Sequence, residues 1–495
     1  MNTLDIHSVQ SFSGLLDYLA NSIVLMPEIA LLTAASCILL LGLFLGRTKE
    51  IVTYLSSLVT LVGMFFIIFM KQDAGVNLFD GMYVVDELAK FIKLLVCITV
   101  ILIFIYARPY LIHRNVAKPE FYLLGLFATL GMMVMASAQN FITIYLGLEL
   151  LSLCLYALVA YVRDSNDASE AAIKYFVLGA IASGMLLYGM SIMYGITGTL
   201  NLNEIGLYLA NINDFNIGLI FALVFIVIGV AFKLGAVPFH MWVPDVYQGA
   251  PTAVTLFIAT APKFAAFVMA YRLLNEGMQD LHGDWQQMLI ILAVLSLILG
   301  NVIAIAQTSI KRMLAYSTIS HIGFILLGFL SGESFGYASA LFYTLIYVLM
   351  AAGAFGVLLQ LKARLKHDMR DVDQLVDFKG LGQTHPWLAF IMLLLMFSMA
   401  GMPLTVGFYA KLYVLQSLIL SDFIWLAVLA VVMSIVGAFY YLRVIKYMYF
   451  DEMVHSLSSQ KELTSYILLS INGLLIVGLF IFPNYLLNYC IKIFY

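Results

Sequence analysis

Apolar runs long enough to cross a lipid bilayer recur along this whole chain, and they constrain its fold more than any other feature. A hydrocarbon core of about 30 Å is crossed by roughly 20 mainly apolar residues in an α-helix. Hydrophobic residues make up 63% of the 495 positions and charged residues 11%, which leaves no room for a sizeable soluble domain. Residues 1–21 contain no Lys or Arg, so they lack the basic start of a cleavable signal peptide. The sequence therefore predicts an all-α polytopic membrane protein.

The hydropathy pattern predicts about fourteen transmembrane helices. They begin near Ile23, Ile51, Leu88, Phe121, Phe141, Ala171, Ile217, Thr252, Gln286, Met313, Phe335, Trp387, Ile424 and Thr464. Sixteen Lys and Arg residues fall in one set of alternate loops, and only Lys71, Arg272 and Lys492 fall in the other. Because cytoplasmic loops are enriched in Lys and Arg, both termini are predicted to lie on the non-cytoplasmic side of a bacterial inner membrane.

Six of the 25 basic residues fall inside predicted spans: Lys90, Lys93, Lys174, Lys233, Lys263 and Lys411. Lys90 and Lys93 lie within two turns of the outer end of their span, so their side chains are expected to reach the membrane surface. Lys174 lies near an inner end, one turn after Glu170. It is either half of a local ion pair or a residue of a proton path.

Lys233, Lys263 and Lys411 lie deeper in their spans, and Glu149 is central in another. An unpaired charge in apolar surroundings costs several kcal/mol, so these residues need a reason to be there. Pairing Glu149 with a buried lysine supplies one, because a change in the partner's charge then makes the lysine take up or release a proton. The pattern predicts a proton relay.

Two of the predicted spans are interrupted by glycine and proline. The stretch Gly229–Pro251 places Lys233 in an apolar run and then interrupts the helix at Gly235 and Pro238. Lipid cannot replace the backbone hydrogen bonds that are lost there, so the broken segment should face protein or a water-filled cavity. A second interruption occurs at residues 401–403. A buried lysine beside a broken helix indicates a transport site, although a lysine that extends to the surface past a proline kink is the alternative.

The two interruptions belong to an internal repeat. Spans four to eight start at Phe121 and spans nine to thirteen at Gln286, an offset of 165 residues, and the same offset separates Pro238 from Pro403. Each unit has five spans, an odd number, so the second unit must enter the membrane in the opposite orientation. We therefore expect residues 1–120 to form three N-terminal helices, 121–274 and 286–449 two inverted repeats, and 464–495 a last helix.

His321, at the centre of its span, is the remaining candidate for the relay. An imidazole exchanges protons near neutral pH, so His321 could bridge two of the buried lysines. A hydrogen-bonded packing role is the alternative.

The polar loops carry no pattern typical of a cofactor site. The sequence has no glycine-rich phosphate loop that opens a helix and no His pair at metal-ligand spacing, and Cys37, Cys97, Cys154 and Cys490 lie in apolar stretches without paired spacing. The longest internal loop, Lys362 to His385, is predicted to be a cytoplasmic connector or a docking surface.

Three stretches carry a family resemblance: FKLGAVPFHMWVPDVYQGAP from Phe232, IKRMLAYSTISHIGF from Ile310 and AGMPLTVGFYAKLYVL from Ala400. They resemble the antiporter-like membrane subunits of bacterial proton-pumping NADH:quinone oxidoreductase, complex I. They are similar, less closely, to the large subunits of multi-subunit cation/proton antiporters. Within the complex I family, Lys411 and a chain that ends after span fourteen favour the N-subunit branch.

The resemblance implies fourteen helices with two inverted five-helix repeats and a proton path at mid-membrane. It assigns the essential glutamate to Glu149 and the essential lysines to Lys233, Lys263 and Lys411, with Pro262 standing where the family is expected to have Ser. It implies quinone, NADH, FMN and iron–sulfur clusters in partner subunits, and no cofactor, metal or nucleic acid bound by this chain. A cation/proton antiporter subunit is the second hypothesis. An inert membrane scaffold is the third, and the buried charges count against it.

Overall fold

The computed structural model describes residues 24–46, 48–70, 75–212, 216–364, 369–453, 457–459 and 462–495. The predicted first residue of span one, Ile23, lies outside these ranges, as do Arg47, Lys71, Lys366 and Lys461 of the charge count.

The helices follow the predicted order closely. The N-terminal group consists of α1 (Met26–Phe44), α2 (Lys49–Met70) and α3 (Glu87–His113). The segment predicted to be the first repeat contains α4 (Pro119–Ser137), α5 (Phe141–Val159), α6 (Asn166–Thr197), α7 (Leu202–Ala210), α8 (Ile217–Leu234), α9 (Trp242–Gly249), α10 (Thr252–Ala259) and α11 (Ala261–Tyr271). The segments predicted to be the second repeat and the C-terminal helix contain α12 (His282–Ala306), α13 (Ile310–Phe329), α14 (Ser334–Gln360), α15 (Leu381–Thr384), α16 (Pro386–Ala400), α17 (Val406–Leu420), α18 (Ile424–Tyr449), α19 (Leu463–Ile481) and α20 (Pro483–Ile493).

Thirteen helical stretches in the described ranges are long and apolar enough to cross a membrane. The remaining predicted span, the twelfth, is divided between α16 and α17, which have 15 residues each. Together they account for the fourteen predicted spans. α7 lies in the connection between the sixth and seventh spans, and residues 213–215 of that connection are outside the described ranges.

The two predicted helix breaks have the same backbone geometry. Gly235 ends α8 with φ +89° and Gly401 ends α16 with φ +84°, values that favour glycine because other residues clash there. After the first break, the N–H groups of Gly235 and Ala236 donate to the Ala231 carbonyl at 2.9 and 2.8 Å. After the second, Gly401 and Met402 donate to the Phe397 carbonyl at 3.0 and 2.9 Å. Both helices thus end in a Schellman-type cap.

A third break divides the eighth span between α10 and α11. Thr260 has the non-helical dihedral angles φ −119° and ψ −95°, and Pro262 lies in the first turn of α11. Proline suits a first turn because its missing N–H would have no partner in the helix there. The break places Lys263 at the start of α11, where its backbone N–H donates to the Thr260 carbonyl at 2.9 Å.

The first two helices of each repeat cross in close backbone contact. A Cβ atom at Gly131 of α4 would lie 2.8 Å from the Gly147 carbonyl oxygen of α5. In the second repeat, a Cβ atom at Gly300 of α12 would lie 2.7 Å from the backbone nitrogen of Ser320 in α13. Small residues at helix crossings are the usual means of close packing in membranes. The shared crossing agrees with the predicted repeat.

Short strands tie the loops together. β1 (Val76–Leu78) and β2 (Tyr83–Val85) form an antiparallel hairpin before α3. β3 (Leu361–Arg364) pairs antiparallel with both β4 (Met369–Asp371) and β5 (Leu457–Ser459), which gives the order β4-β3-β5. The predicted connector after span eleven is therefore partly a sheet that is joined to the loop before α19.

Candidate functional site

Two of the predicted relay lysines bind the carbonyl at which a broken helix ends. The Nζ atom of Lys263 donates to the Leu234 carbonyl at 2.9 Å, and that of Lys411 donates to the Ala400 carbonyl at 2.8 Å. Leu234 and Ala400 are the last residues of α8 and α16. The carbonyls of a helix C-terminus lack partners within the helix and carry partial negative charge. Each break therefore supplies a binding position for an ammonium group.

The two lysines differ in their other contacts. Lys263 is 2% exposed, and its ammonium lies 5.9 Å from the centroid of the Trp242 ring. Lys411 is half-buried, and it also donates to the Ser434 hydroxyl at 2.7 Å and lies 5.3 Å from the Phe324 ring centroid. Aromatic faces attract cations, so both environments suit a charged lysine.

Glu149 and Lys233 lie on facing helices but do not form the direct ion pair that the sequence suggested. Lys233 is buried and donates to the Ser152 hydroxyl at 2.9 Å. The Glu149 carboxylate accepts a hydrogen bond from the Ser183 hydroxyl of α6. Ser152 lies one turn after Glu149 on α5, so a serine occupies the position next to the lysine that we had expected the carboxylate to fill.

A small cavity lies between these groups. Its lining includes Ser152, Tyr156, Tyr175, Ser183 and Lys233, and its volume is about 20 Å³. A volume of about 15 Å³ with several polar partners is enough to hold one water molecule. Ser152 and Ser183 were not singled out in the sequence, because a serine in an apolar helix gives no signal of which side chain faces it.

His321 contacts tyrosines, not lysines. Its Nδ1 atom lies 2.7 Å from the Tyr343 hydroxyl and its Nε2 atom 3.1 Å from the Tyr441 hydroxyl. Both ring nitrogens have a hydroxyl partner, which agrees with the alternative of a hydrogen-bonded packing residue. The other alternative, a direct bridge between two lysines, is not formed in this geometry. The tyrosines come from α14 and α18, and nothing in the sequence marked them.

Lys174 belongs to an ion-pair cluster at the start of α6. Its ammonium lies 2.8 Å from carboxylate oxygens of both Glu170 and Asp245, and Arg312 lies 2.8 Å from the second oxygen of Asp245. These residues line an open cleft of about 290 Å³. The local ion pair that the sequence offered for Lys174 is present, and a role in a proton path stays a prediction.

Lys93 does not reach the surface, so that prediction is wrong. Its side chain is buried, lies 2.6 Å from the Glu28 carboxylate of α1, and donates to the Tyr83 hydroxyl at 2.8 Å. The β1–β2 hairpin places Tyr83 against this ammonium, and α1 brings a counter-ion that a surface lysine would not need. Lys90, one turn earlier, is half-buried.

Arg272, which the sequence placed in an outer loop, is also buried. It is 1% exposed, binds both oxygens of Asp86 at 2.9 and 3.0 Å, and binds Glu276 at 2.9 Å. It also donates to the Ala136 carbonyl. Sequence reasoning missed this cluster because Asp86 is 186 positions away from Arg272.

The described ranges contain no group of three or more His, Cys, Asp or Glu residues that could hold a metal ion. The four cysteines are free thiols, and three of them are buried. Burial raises the pKa of the Cys490 thiol, on α20, to about 12, so that thiol stays protonated at neutral pH.

Comparison with known protein families shows which family the chain belongs to. Residues 138–437 match the family described as NADH:quinone oxidoreductase/Mrp antiporter, TM. The chain belongs to this family. Among its relatives, the NADH-quinone oxidoreductase subunit N of Thioalkalivibrio sulfidiphilus is 55% identical over 93% of this chain and 96% of the relative. The subunit N of Thiobacillus denitrificans is 52% identical over 94% of this chain and 96% of the relative.

Chains in two solved complexes have the same fold as this protein. A chain of respiratory complex I from Thermus thermophilus, with bound aureothin, is 30% identical and superposes with a TM-score of 0.79. The match covers 93% of this chain and 98% of that one. A chain of the Mrp complex from Dietzia has a TM-score of 0.78 over 96% of this chain and 97% of that one, at 18% identity, which shows the fold alone.

Proposed function

We propose that this chain is the proton-translocating N subunit of a bacterial NADH:quinone oxidoreductase. The identity of 55% to a named subunit N over nearly the whole chain supports the assignment. One structural observation carries it. Lys263 and Lys411 each bind the last carbonyl of a broken helix, and these two carbonyls occupy equivalent positions in the two repeats.

The relay that we infer runs through Glu149, Lys233, Lys263, His321 and Lys411. Burial opposes the charged form of a lysine, whereas a helix-terminal carbonyl or a nearby carboxylate favours it. A lysine held between these opposing effects changes its protonation when a neighbour gains or loses charge. Ser152 and Ser183 are added to the predicted set because Ser152 accepts a hydrogen bond from Lys233 and Ser183 donates one to Glu149.

The chemistry of electron transfer is assigned to other subunits. We infer that NADH, FMN, iron–sulfur clusters and quinone are handled by the peripheral and membrane partners of this chain. Within the chain itself, the proposed contribution is to bind protons, orient their carriers and exclude water around them. This role makes it a subunit of a translocase without a redox centre of its own.

The placement in the membrane follows from the charge distribution. We propose that both termini lie on the non-cytoplasmic side of the bacterial inner membrane and that the loop from Lys362 to His385 lies in the cytoplasm. We likewise propose residues 121–274 and 286–449 as the limits of the two inverted repeats, with 1–120 and 464–495 outside them.

The alternative, a subunit of a cation/proton antiporter, shares the fold but has weaker support, since the Mrp chain from Dietzia is 18% identical. Purification of the tagged chain in mild detergent separates the two. Co-purification of flavin, iron–sulfur and quinone-reducing activity supports the proposal. Recovery of the chain with other antiporter subunits alone, in membranes that oxidise NADH normally, would overturn it.

A further inference from the structure

The imidazole of His321 is held between two tyrosine hydroxyls at the centre of the second repeat. His321, Tyr343 and Tyr441 are 3%, 1% and 2% exposed, and they come from α13, α14 and α18. Each ring nitrogen has its own hydroxyl partner, at 2.7 Å for Nδ1 and 3.1 Å for Nε2. A histidine that only packs and a histidine that carries protons both need a hydrogen-bond partner for each ring nitrogen. The number of partners therefore does not distinguish the two roles, but the positions of the hydrogen atoms do.

The two hydroxyls are not equivalent. The Tyr441 hydroxyl also forms a hydrogen bond with the Ser317 hydroxyl, one turn before His321 on α13. Among the described residues, the hydrogen-bond partner of the Tyr343 hydroxyl is His321. A neutral imidazole has one N–H and one bare nitrogen, and a hydroxyl has a single hydrogen to give.

These counts fix the direction of the hydrogen bonds. Tyr343 uses its one hydrogen to donate to Nδ1, because leaving a buried hydroxyl hydrogen unbound costs about 1–3 kcal/mol. The ring proton then lies on Nε2 and is donated to the Tyr441 oxygen. Tyr441 is left to donate to Ser317. The result is a single chain of donors that runs from Tyr343 through His321 and Tyr441 to Ser317.

We propose that Tyr343 and Tyr441 are positioning residues that set the tautomer of His321 and make it a two-sided proton carrier. This inference rests on the proposed proton-translocating function. A proton that reaches the Tyr343 oxygen displaces the hydroxyl proton of Tyr343 onto Nδ1. The Nε2 proton moves to the Tyr441 oxygen, Tyr441 passes its own proton to Ser317, and Ser317 gives its hydroxyl proton to a water molecule. One proton enters and one leaves, each residue keeps its number of hydrogens, and the ring proton of His321 now lies on Nδ1.

The chain of hydrogen-bond donors begins at Tyr343, on the side where Lys411 lies. The Phe324 ring is stacked on the Tyr343 ring with centroids 5.4 Å apart, and the Lys411 ammonium lies 5.3 Å from the Phe324 centroid. Phe324 therefore separates Lys411 from the Tyr343 end of the chain. A phenyl ring carries no exchangeable proton, so transfer between the lysine and Tyr343 requires Phe324 or Lys411 to change its rotamer.

The test compares Tyr343→Phe and Tyr441→Phe with Tyr337→Phe. Tyr337 lies on α14, as Tyr343 does, and is buried, but its hydroxyl has no hydrogen-bond partner among the described residues. Redox-driven proton pumping is measured in inverted membrane vesicles, in H₂O and in D₂O, and is normalised to assembled complex. We expect both chain variants to pump about tenfold more slowly, with a larger solvent isotope effect than the parent, because proton transfer becomes limiting. Tyr337→Phe should match the parent in both measurements.

Two further variants keep the outcome interpretable. Ser317→Ala removes the acceptor at the end of the chain and replaces Tyr441→Phe if that variant does not assemble. Slow pumping with an unchanged isotope effect in Tyr343→Phe and Tyr441→Phe would show that the hydroxyls have a structural role, and it would overturn the inference. Normal pumping by both variants would also overturn it. Lys411→Met is measured beside them. Normal pumping by Lys411→Met would overturn the proposed function, whereas a defect there with normal tyrosine variants would overturn only this inference.

Discussion

The ammonium of Lys411 lies 2.8 Å from the carbonyl oxygen of Ala400, the residue at which α16 ends. Lys263 makes the equivalent bond to the last carbonyl of α8. The two lysines reach these carbonyls from different elements, since Lys411 follows its own break in the chain and Lys263 comes from the span after the break. The repeated feature is therefore the binding position at the helix terminus, and not the lysine's place in the sequence.

Gly401→Ala should disturb this position directly. Residue 401 has φ +84°, and an added Cβ atom would lie 2.8 Å from Cδ of Lys411 and 3.1 Å from its Nζ. The backbone strain of about 1–2 kcal/mol and the displaced ammonium should together lower pumping severalfold. Gly478→Ala is the matched control, since no atom lies within 4 Å of a Cβ atom there. Pumping by Gly401→Ala at the level of the control, per assembled complex, would argue against a precise lysine position.

Glu149→Gln keeps the shape of the side chain but removes its charge. The amide can still accept from Ser183, so the helix packing should survive, while the negative charge that acts on Lys233 is lost. We expect pumping to fall severely, and quinone reduction to fall with it if the two are tightly coupled. The measurement is proton uptake by vesicles together with quinone reductase activity. Unchanged proton uptake by normally assembled complex would remove Glu149 from the relay.

The buried pair of Glu28 and Lys93 should behave as a structural unit. Lys93→Met leaves a buried carboxylate without its counter-ion, which typically costs about 3–5 kcal/mol. Adding Glu28→Met should recover most of that loss, because replacing both charges by apolar groups is often neutral. The thermal stability of the purified complex is compared among the parent, each single variant and the double variant. A double variant as unstable as Lys93→Met would show that the pair is not the source of the effect.

The topology can be tested by single cysteines in two loops. We expect a cysteine at Gln383 to react from the cytoplasm and one at Asn211 to react from the other side. The reagent is a membrane-impermeant maleimide, applied to whole cells and to inverted vesicles of a variant without native cysteines. Labelling of both positions from the same side would refute the span count between them.

Spans and breaks could be predicted from the sequence because each has a local physical cause. Long apolar runs must cross the bilayer, and Gly235–Pro238 and Gly401–Pro403 must interrupt a helix wherever the fold places them. The internal offset of 165 residues then gave the repeat without any knowledge of contacts.

The partners of the buried polar groups could not be predicted in the same way. A helix that is apolar on all sides carries no periodicity to show which face meets a neighbour. The side chains that contact Lys233 and His321 depend on how each helix is rotated about its axis. The sequence therefore does not indicate that Ser152 and Tyr441 are their partners. The errors at Lys93 and Arg272 have a related cause, because Glu28 and Asp86 reach them through tertiary contacts across 65 and 186 positions.

The central claim is that a buried lysine in this chain exchanges its proton during turnover, and Lys233→Arg tests it most directly. Arginine keeps a positive charge that Ser152 and Glu149 can accommodate, but a guanidinium does not lose its proton in proteins, whereas a buried ammonium can. The measurement is redox-driven dye quenching in inverted vesicles, normalised to assembled complex, with Lys233→Ala alongside. We predict that Lys233→Arg assembles and pumps as poorly as Lys233→Ala. Near-normal pumping by Lys233→Arg would show that Lys233 supplies charge without exchanging a proton, and it would contradict the relay as drawn.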